Sequence, residues 1–129
     1  MTLSELTARA QQIRERYAAL ETQRTGQPWT RAELAQGFAG DVGELMKLVM
    51  AKEGRRASRH ADIDNALAHE LADCLWSVLV LAKAYNVDLE RTFLRTMDEL
   101  ERRIADAPAA PATKPRRTKT ARTSRARRD

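Results

Sequence analysis

The sequence predicts an all-α fold, a bundle of four helices, from three observations. Apolar residues recur at alternating steps of three and four along most of the first 105 positions, the spacing that puts them on one side of a helix. Helix-start signals precede these runs. Helix breakers are scarce: the chain of 129 residues has 5 Gly and 4 Pro, and three of the prolines lie beyond residue 107. What remains is rich in Ala, Leu, Glu and Arg, residues of high helix propensity.

The first helix is expected from about Leu3 to Arg24, with Leu3, Leu6, Ala10, Ile13, Tyr17 and Leu20 as its stripe. Thr2 with Glu5 forms a capping-box pattern, and Thr25-Gly26-Gln27-Pro28 ends the run. The second start is the best marked. Thr30 is the N-cap, Glu33 the returning acid, and Trp29 and Leu34 occupy the two positions of a hydrophobic staple. This helix runs through Phe38, Leu45 and Leu48 to about Glu53 and carries Gly37, Gly40 and Gly43. Three glycines at this spacing suggest close approach of another backbone or a ligand; tolerated glycines fit equally. "GRRASRHAD" (54–62) is a polar, basic loop. The third helix is expected from Ile63 to about Tyr85 with Leu67, Leu71, Cys74, Val78 and Leu81 as its stripe, and Asn86 as C-cap. Asp88 caps a fourth helix reaching about Ile104, with Phe93, Met97, Leu100 and Ile104 turned inward.

The net charge of +5 hides two unlike parts. Residues 108–129 hold eight Lys/Arg and one acid, so this tail carries +7, while residues 1–107 carry 15 basic and 17 acidic residues. The division predicts one mildly acidic helical domain, 1–107, and a basic tail, 108–129. The tail has no apolar residue larger than alanine, and such a composition predicts disorder. Its charge suits nonspecific contact with nucleic acid, although no groove-reading motif accompanies it. The single cysteine, Cys74, excludes an internal disulfide and suits a reducing cytoplasm. The N-terminus shows no signal-peptide pattern. The run "VLVLAKAY" is interrupted by Lys83 and too short to span a bilayer, so no membrane association is expected.

Chemistry concentrates in "GDVGELMKL" (40–48) and "AHELADCLW" (68–76). Each places two acids three residues apart, Asp41 with Glu44 and Glu70 with Asp73, and such residues are neighbours on one helix face. Asp41 shares a row with Phe38, Leu45 and Leu48; Glu70 shares one with Leu67 and Cys74. If the two helices pack antiparallel, four carboxylates converge. Converging acids either raise one another's pKa or hold a counter-cation, and a hard divalent ion such as Mg²⁺ or Mn²⁺ suits oxygen ligands. Solvated acidic faces also show this spacing, so residue type alone leaves both readings open.

These two stretches, with "HELADCLWSVLVLAKAYNVDLERTF", resemble the MazG-like all-α nucleoside triphosphate pyrophosphohydrolase superfamily, which carries E-x-x-E on one helix and E-x-x-D on the next. The resemblance covers roughly residues 30–105. It implies a MazG-like four-helix bundle that assembles as a homodimer or homotetramer, with sites completed between subunits. It also implies that Asp41, Glu44, Glu70 and Asp73 bind Mg²⁺ (or Mn²⁺). The activity implied is cleavage of a (d)NTP between the α- and β-phosphates to (d)NMP and pyrophosphate, a nucleotide house-cleaning reaction. Two departures stand out. Gly40 and the short Asp41 occupy positions where many members carry successive acids, and Thr96 and Leu100 stand where the family often has Lys and Asn. They motivate the alternative of a catalytically impaired bundle that binds nucleic acid through its tail.

For the implied reaction, Glu44 is the candidate to orient or deprotonate the attacking water. Lys47 and Lys52 are the favoured cations for the triphosphate, ahead of Arg55 and Arg56. Trp29 and Trp76 are candidate platforms for the base, whereas Phe38 reads as core. His69 points about 100° away from Glu70 on a helix and reads as a surface residue.

Overall fold

The computed structural model describes residues 1–109. The tail expected over 108–129 lies, from residue 110 onward, outside the described residues. Four helices account for nearly all of the rest: α1 (Leu3–Thr25), α2 (Arg31–Lys52), α3 (Ile63–Ala84) and α4 (Leu89–Asp106). No strand occurs among the described residues.

The ends of these helices follow the local chemistry. Thr2 and Thr30 each accept from the backbone N–H three residues on, and Glu5 and Glu33 return to the cap N–H, so both capping boxes form. Asp62 and Asp88 cap α3 and α4 through single side-chain acceptors. Gly26 ends α1 at φ +86°, a left-handed position that glycine reaches without a Cβ clash. Asn86 takes φ +55° directly after α3, as its tolerance of that region allows.

The α1–α2 turn is held by an ion pair that sequence spacing did not reveal. Arg14 is 7% exposed. Its Nη1 and Nη2 donate to the two carboxylate oxygens of Glu21, each at 2.8 Å. The same carboxylate accepts the Trp29 backbone N–H at 2.7 Å. The Arg14 guanidinium beside Glu21 holds that carboxyl below its usual range.

Helix α3 is the hub, packing against both α1 and α2. Arg31 at the start of α2 lies over the Tyr85 ring just past the end of α3, 4.9 Å from its centroid. Lys52 at the other end of α2 pairs with Asp64 at the start of α3. The two helices are therefore antiparallel, as the carboxylate argument required. Ala10, Leu79 and Val80 form the buried cluster, with Leu3, Leu34, Trp76 and Leu89 packed against it. By length and composition α3 could cross a membrane, but its central place between α1 and α2 makes it the core helix of the fold.

One expectation fails. Phe93, Met97, Leu100 and Ile104 were expected to face inward, yet they are 56, 39, 41 and 77% exposed, and α4 buries none of its residues. Only Leu89, its first residue, reaches the core. The amphipathic pattern fixes which face of α4 is apolar; no other element of the described chain covers that face.

The glycines of α2 divide. A Cβ at Gly37 would stand 3.1 Å from the Trp29 ring, so the ring's close approach uses the missing side chain there. Gly40 and Gly43 have open space around them.

Candidate active site: four carboxylates between two helices

The antiparallel pairing sets the level of each acid. Arg31 lies against Tyr85 and Lys52 against Asp64. With the same rise per residue on both helices, Asp41 and Glu44 fall at the height of residues close to Asp73. The electrostatics agree. Burial pushes the Glu70 carboxyl above its usual range, and the charges of Asp41, Asp73 and Glu44 push it further. The Cys74 thiol is raised by burial and by Asp41, Glu70 and Asp73. The structure thus brings the acids of both helices into one field.

Two of the four are turned toward basic neighbours. Lys47 Nζ donates to Glu44 Oε1 at 2.8 Å, and the Lys47 ammonium holds Glu44 below its usual range, with Arg56 and His60 adding smaller attractions. His69 Nε2 lies 3.3 Å from Asp73 Oδ2. With the side chains so placed, no three acidic, imidazole or thiol groups among the described residues close to metal-binding distance. The chemistry of the four carboxylates suits a hard divalent ion, and Glu70 resists ionisation through burial first and the charges of Asp41, Asp73 and Glu44 second.

The remaining expected residues sort by position. Lys52 is drawn to the Asp64 carboxylate, which raises its own proton affinity. Trp76 donates its indole N–H to the Ala10 carbonyl at 3.2 Å and meets Tyr17 edge-on, with centroids 6.2 Å apart. It is committed to the α1–α3 contact, one turn beyond Asp73. Trp29 is 47% exposed and covers Gly37, one turn before Asp41.

Sequence reasoning missed three residues here. His69 was set aside as surface, and it does expose most of its side chain, but it reaches Asp73 at the i,i+4 spacing, a legible signal. His60, Asn65 and Asp62 line, with His69 and Leu48, a cavity of about 360 Å³ that contains none of the four acids and adjoins them through the His69–Asp73 contact. Nothing in the local pattern marks His60 beyond its place in a basic loop. A larger groove of about 540 Å³ lies between α1 and the α3–α4 turn and contains none of the four acids.

Comparison with known proteins gives one match. No curated protein and no solved structure matches the chain. A family model described as the MazG nucleotide pyrophosphohydrolase domain matches residues 30–106, from the cap of α2 to the end of α4 and across both acid pairs. The chain therefore belongs to the MazG nucleotide pyrophosphohydrolase family.

Proposed function

We propose that this protein hydrolyses a nucleoside or deoxynucleoside triphosphate between the α- and β-phosphates, releasing the monophosphate and pyrophosphate, as a house-cleaning enzyme of the cytoplasm. The observation that supports this reading is the family match over residues 30–106, which spans both acid pairs, on helices whose antiparallel packing sets those pairs at one level. Burial first and the neighbouring acids second raise the Glu70 carboxyl, a cost that a bound cation would offset.

In this reading Asp41, Glu44, Glu70 and Asp73 hold Mg²⁺ or Mn²⁺, which when bound offsets phosphate charge and acidifies a water. The chain's own groups do the rest. Lys47 leaves Glu44 for the incoming phosphates. Both side chains of that pair are about half exposed, so the exchange costs little. Glu44, the carboxylate outside the tightest coordination, then takes a proton from the attacking water. Lys52 adds positive charge at the loop end once drawn from Asp64. Trp29, half exposed over Gly37, is the platform on which a base would stack, whereas Trp76, the other candidate, gives its indole N–H to the Ala10 carbonyl in the α1–α3 contact.

The active unit in this reading is a homodimer or homotetramer of domain 1–107. Val42, Met46 and Val49 on α2 and Leu71 and Leu75 on α3 are exposed in the single chain, as is the α4 stripe. Their steps of three and four mark continuous apolar strips that burial against another copy would satisfy. The basic tail adds nonspecific nucleic-acid contact, and deleting residues 108–129 should remove that contact while leaving hydrolysis. Pyrophosphate release from a panel of nucleotides with Mg²⁺ tests the reaction; turnover of none, together with no divalent-metal binding by calorimetry, would leave the impaired-bundle alternative.

A further inference from the structure

We propose that the cavity beside the α2–α3 loop, walled by His60, Asn65 and His69, is the subsite for the β- and γ-phosphates, the part of the substrate that leaves as pyrophosphate. The inference rests on the hydrolysis proposed above and assigns a direction to the substrate along the site.

Three features carry it. The first is the coincidence of residues. The chain has two histidines, separated by a loop–helix junction, and both line this one cavity. Asn65 adds a carboxamide on the same wall, and Leu48, 5% exposed, forms a firm floor. The second is charge. Among the described residues, Arg55, Arg56 and Arg59 have no carboxylate at ion-pair distance, unlike Arg14, Lys47 and Lys52. The loop that supplies His60 to the cavity also carries Arg55, Arg56 and Arg59. The Asp62 carboxylate, which would oppose an anion, is occupied in capping α3, where its Oδ1 accepts the Asn65 N–H at 3.0 Å. The side chains, not the helix terminus, must therefore hold the ligand.

The third feature is order along α3. Asn65 and His69 precede Asp73, and Trp76 follows it. From Asn65 to Trp76 the helix advances about 16 Å at its regular rise, the scale of an extended nucleoside triphosphate. With the α-phosphate at the carboxylates, one end of the substrate must lie toward the loop and the other toward the aromatic residues. The loop end, with its basic residues, suits phosphates, and the end where Trp29 lies half exposed over Gly37 suits a base. His69 joins the two halves, since its imidazole touches both the cavity and Asp73.

The test titrates the full-length protein with inorganic pyrophosphate at fixed pH without divalent metal, following the two histidine ring signals by NMR. Both signals are expected to shift saturably, and phosphate-free nucleosides are expected to leave them unmoved. Arg56→Ala and His60→Ala should each weaken pyrophosphate binding roughly tenfold, as loss of a charge-assisted contact does. Arg56→Glu, on an exposed loop where folding is insensitive to the change, should weaken it further. Shifts with nucleoside and not with pyrophosphate would overturn the inference by making the cavity a base pocket. Unmoved histidines in a protein that hydrolyses nucleotides would overturn it while leaving the reaction intact. Saturable shifts in a protein with no turnover would support the subsite and count against the reaction instead.

Discussion

Glu70→Gln separates a residue that serves the fold from one that serves a site. Glu70 sits partly buried with Asp73 three residues on and with Asp41 and Glu44 across the α2–α3 contact, and its carboxyl is raised by burial first and by those charges second. A like-charge neighbour on one helix destabilises by about 0.2–0.5 kcal/mol. The cross-helix neighbours act over longer, partly solvated distances and add a comparable amount. Gln keeps the shape and removes the charge, so the metal-free variant should gain up to about 1 kcal/mol. For a domain of this size that raises the melting temperature by roughly 4–8 °C. The sign with pH follows from the raised pKa. Below the unfolded value of about 4.3 both states hold the proton and Glu70 costs nothing. As pH rises toward its folded pKa the cost appears, and it persists above. The wild-type and Glu70→Gln melting curves should therefore converge in acid and separate toward neutrality, the variant melting higher. Differential scanning calorimetry across pH checks this. A variant that melts lower than wild type at neutral pH would refute the reasoning, because Glu70 would then hold the fold. Added Mg²⁺ should stabilise wild type and do so less in the variant.

Other outcomes follow from the same structure. Glu21→Ala leaves Arg14 buried without its partner and frees the Trp29 N–H; it should cost about 2–4 kcal/mol in a urea melt, and a loss below about 0.5 kcal/mol would deny the pair its role. Because Glu21 has a lowered carboxyl pKa, its contribution is present above the ordinary carboxylate range and disappears as pH falls through the folded pKa, opposite in direction to Glu70. Gly43→Ala, with open space around it, should gain up to about 1 kcal/mol of helix propensity. Gly37→Ala must push the Trp29 ring from 3.1 Å and should gain measurably less; equal gains would place the ring elsewhere. Met46→Glu with Leu75→Glu puts charge on the exposed strips and should lower the mass seen by light scattering. An unchanged mass would exclude that face as the contact between copies.

Much of the architecture was legible because local chemistry marks it. Thr2–Glu5 and Thr30–Glu33 announce two helix starts, Gly26 a helix end, and Asp88 the start of α4. The acid pairs were legible for the same reason, since i,i+3 spacing fixes a face, and the antiparallel packing of α2 and α3 then sets the two pairs at one level. The path of α4 was not. Its stripe of Phe93, Met97, Leu100 and Ile104 says that something apolar should cover it, and periodicity carries no information about what. Trp76 was read as near the acids from its spacing alone, yet the Ala10 carbonyl takes its indole N–H, a pairing between residues 66 apart that no local pattern encodes. His60 entered the site through the fold of a loop, where spacing has no rule.

The central claim is that the two acid pairs form one hydrolytic site. The most direct test incubates the full-length protein with a panel of nucleoside and deoxynucleoside triphosphates and Mg²⁺ and follows the phosphorus signals by NMR. Monophosphate and pyrophosphate should appear together from at least one nucleotide, and Glu70→Gln and Asp73→Asn, folded by calorimetry, should each abolish them. Release of diphosphate and inorganic phosphate, or undiminished pyrophosphate release by the two variants, would contradict it.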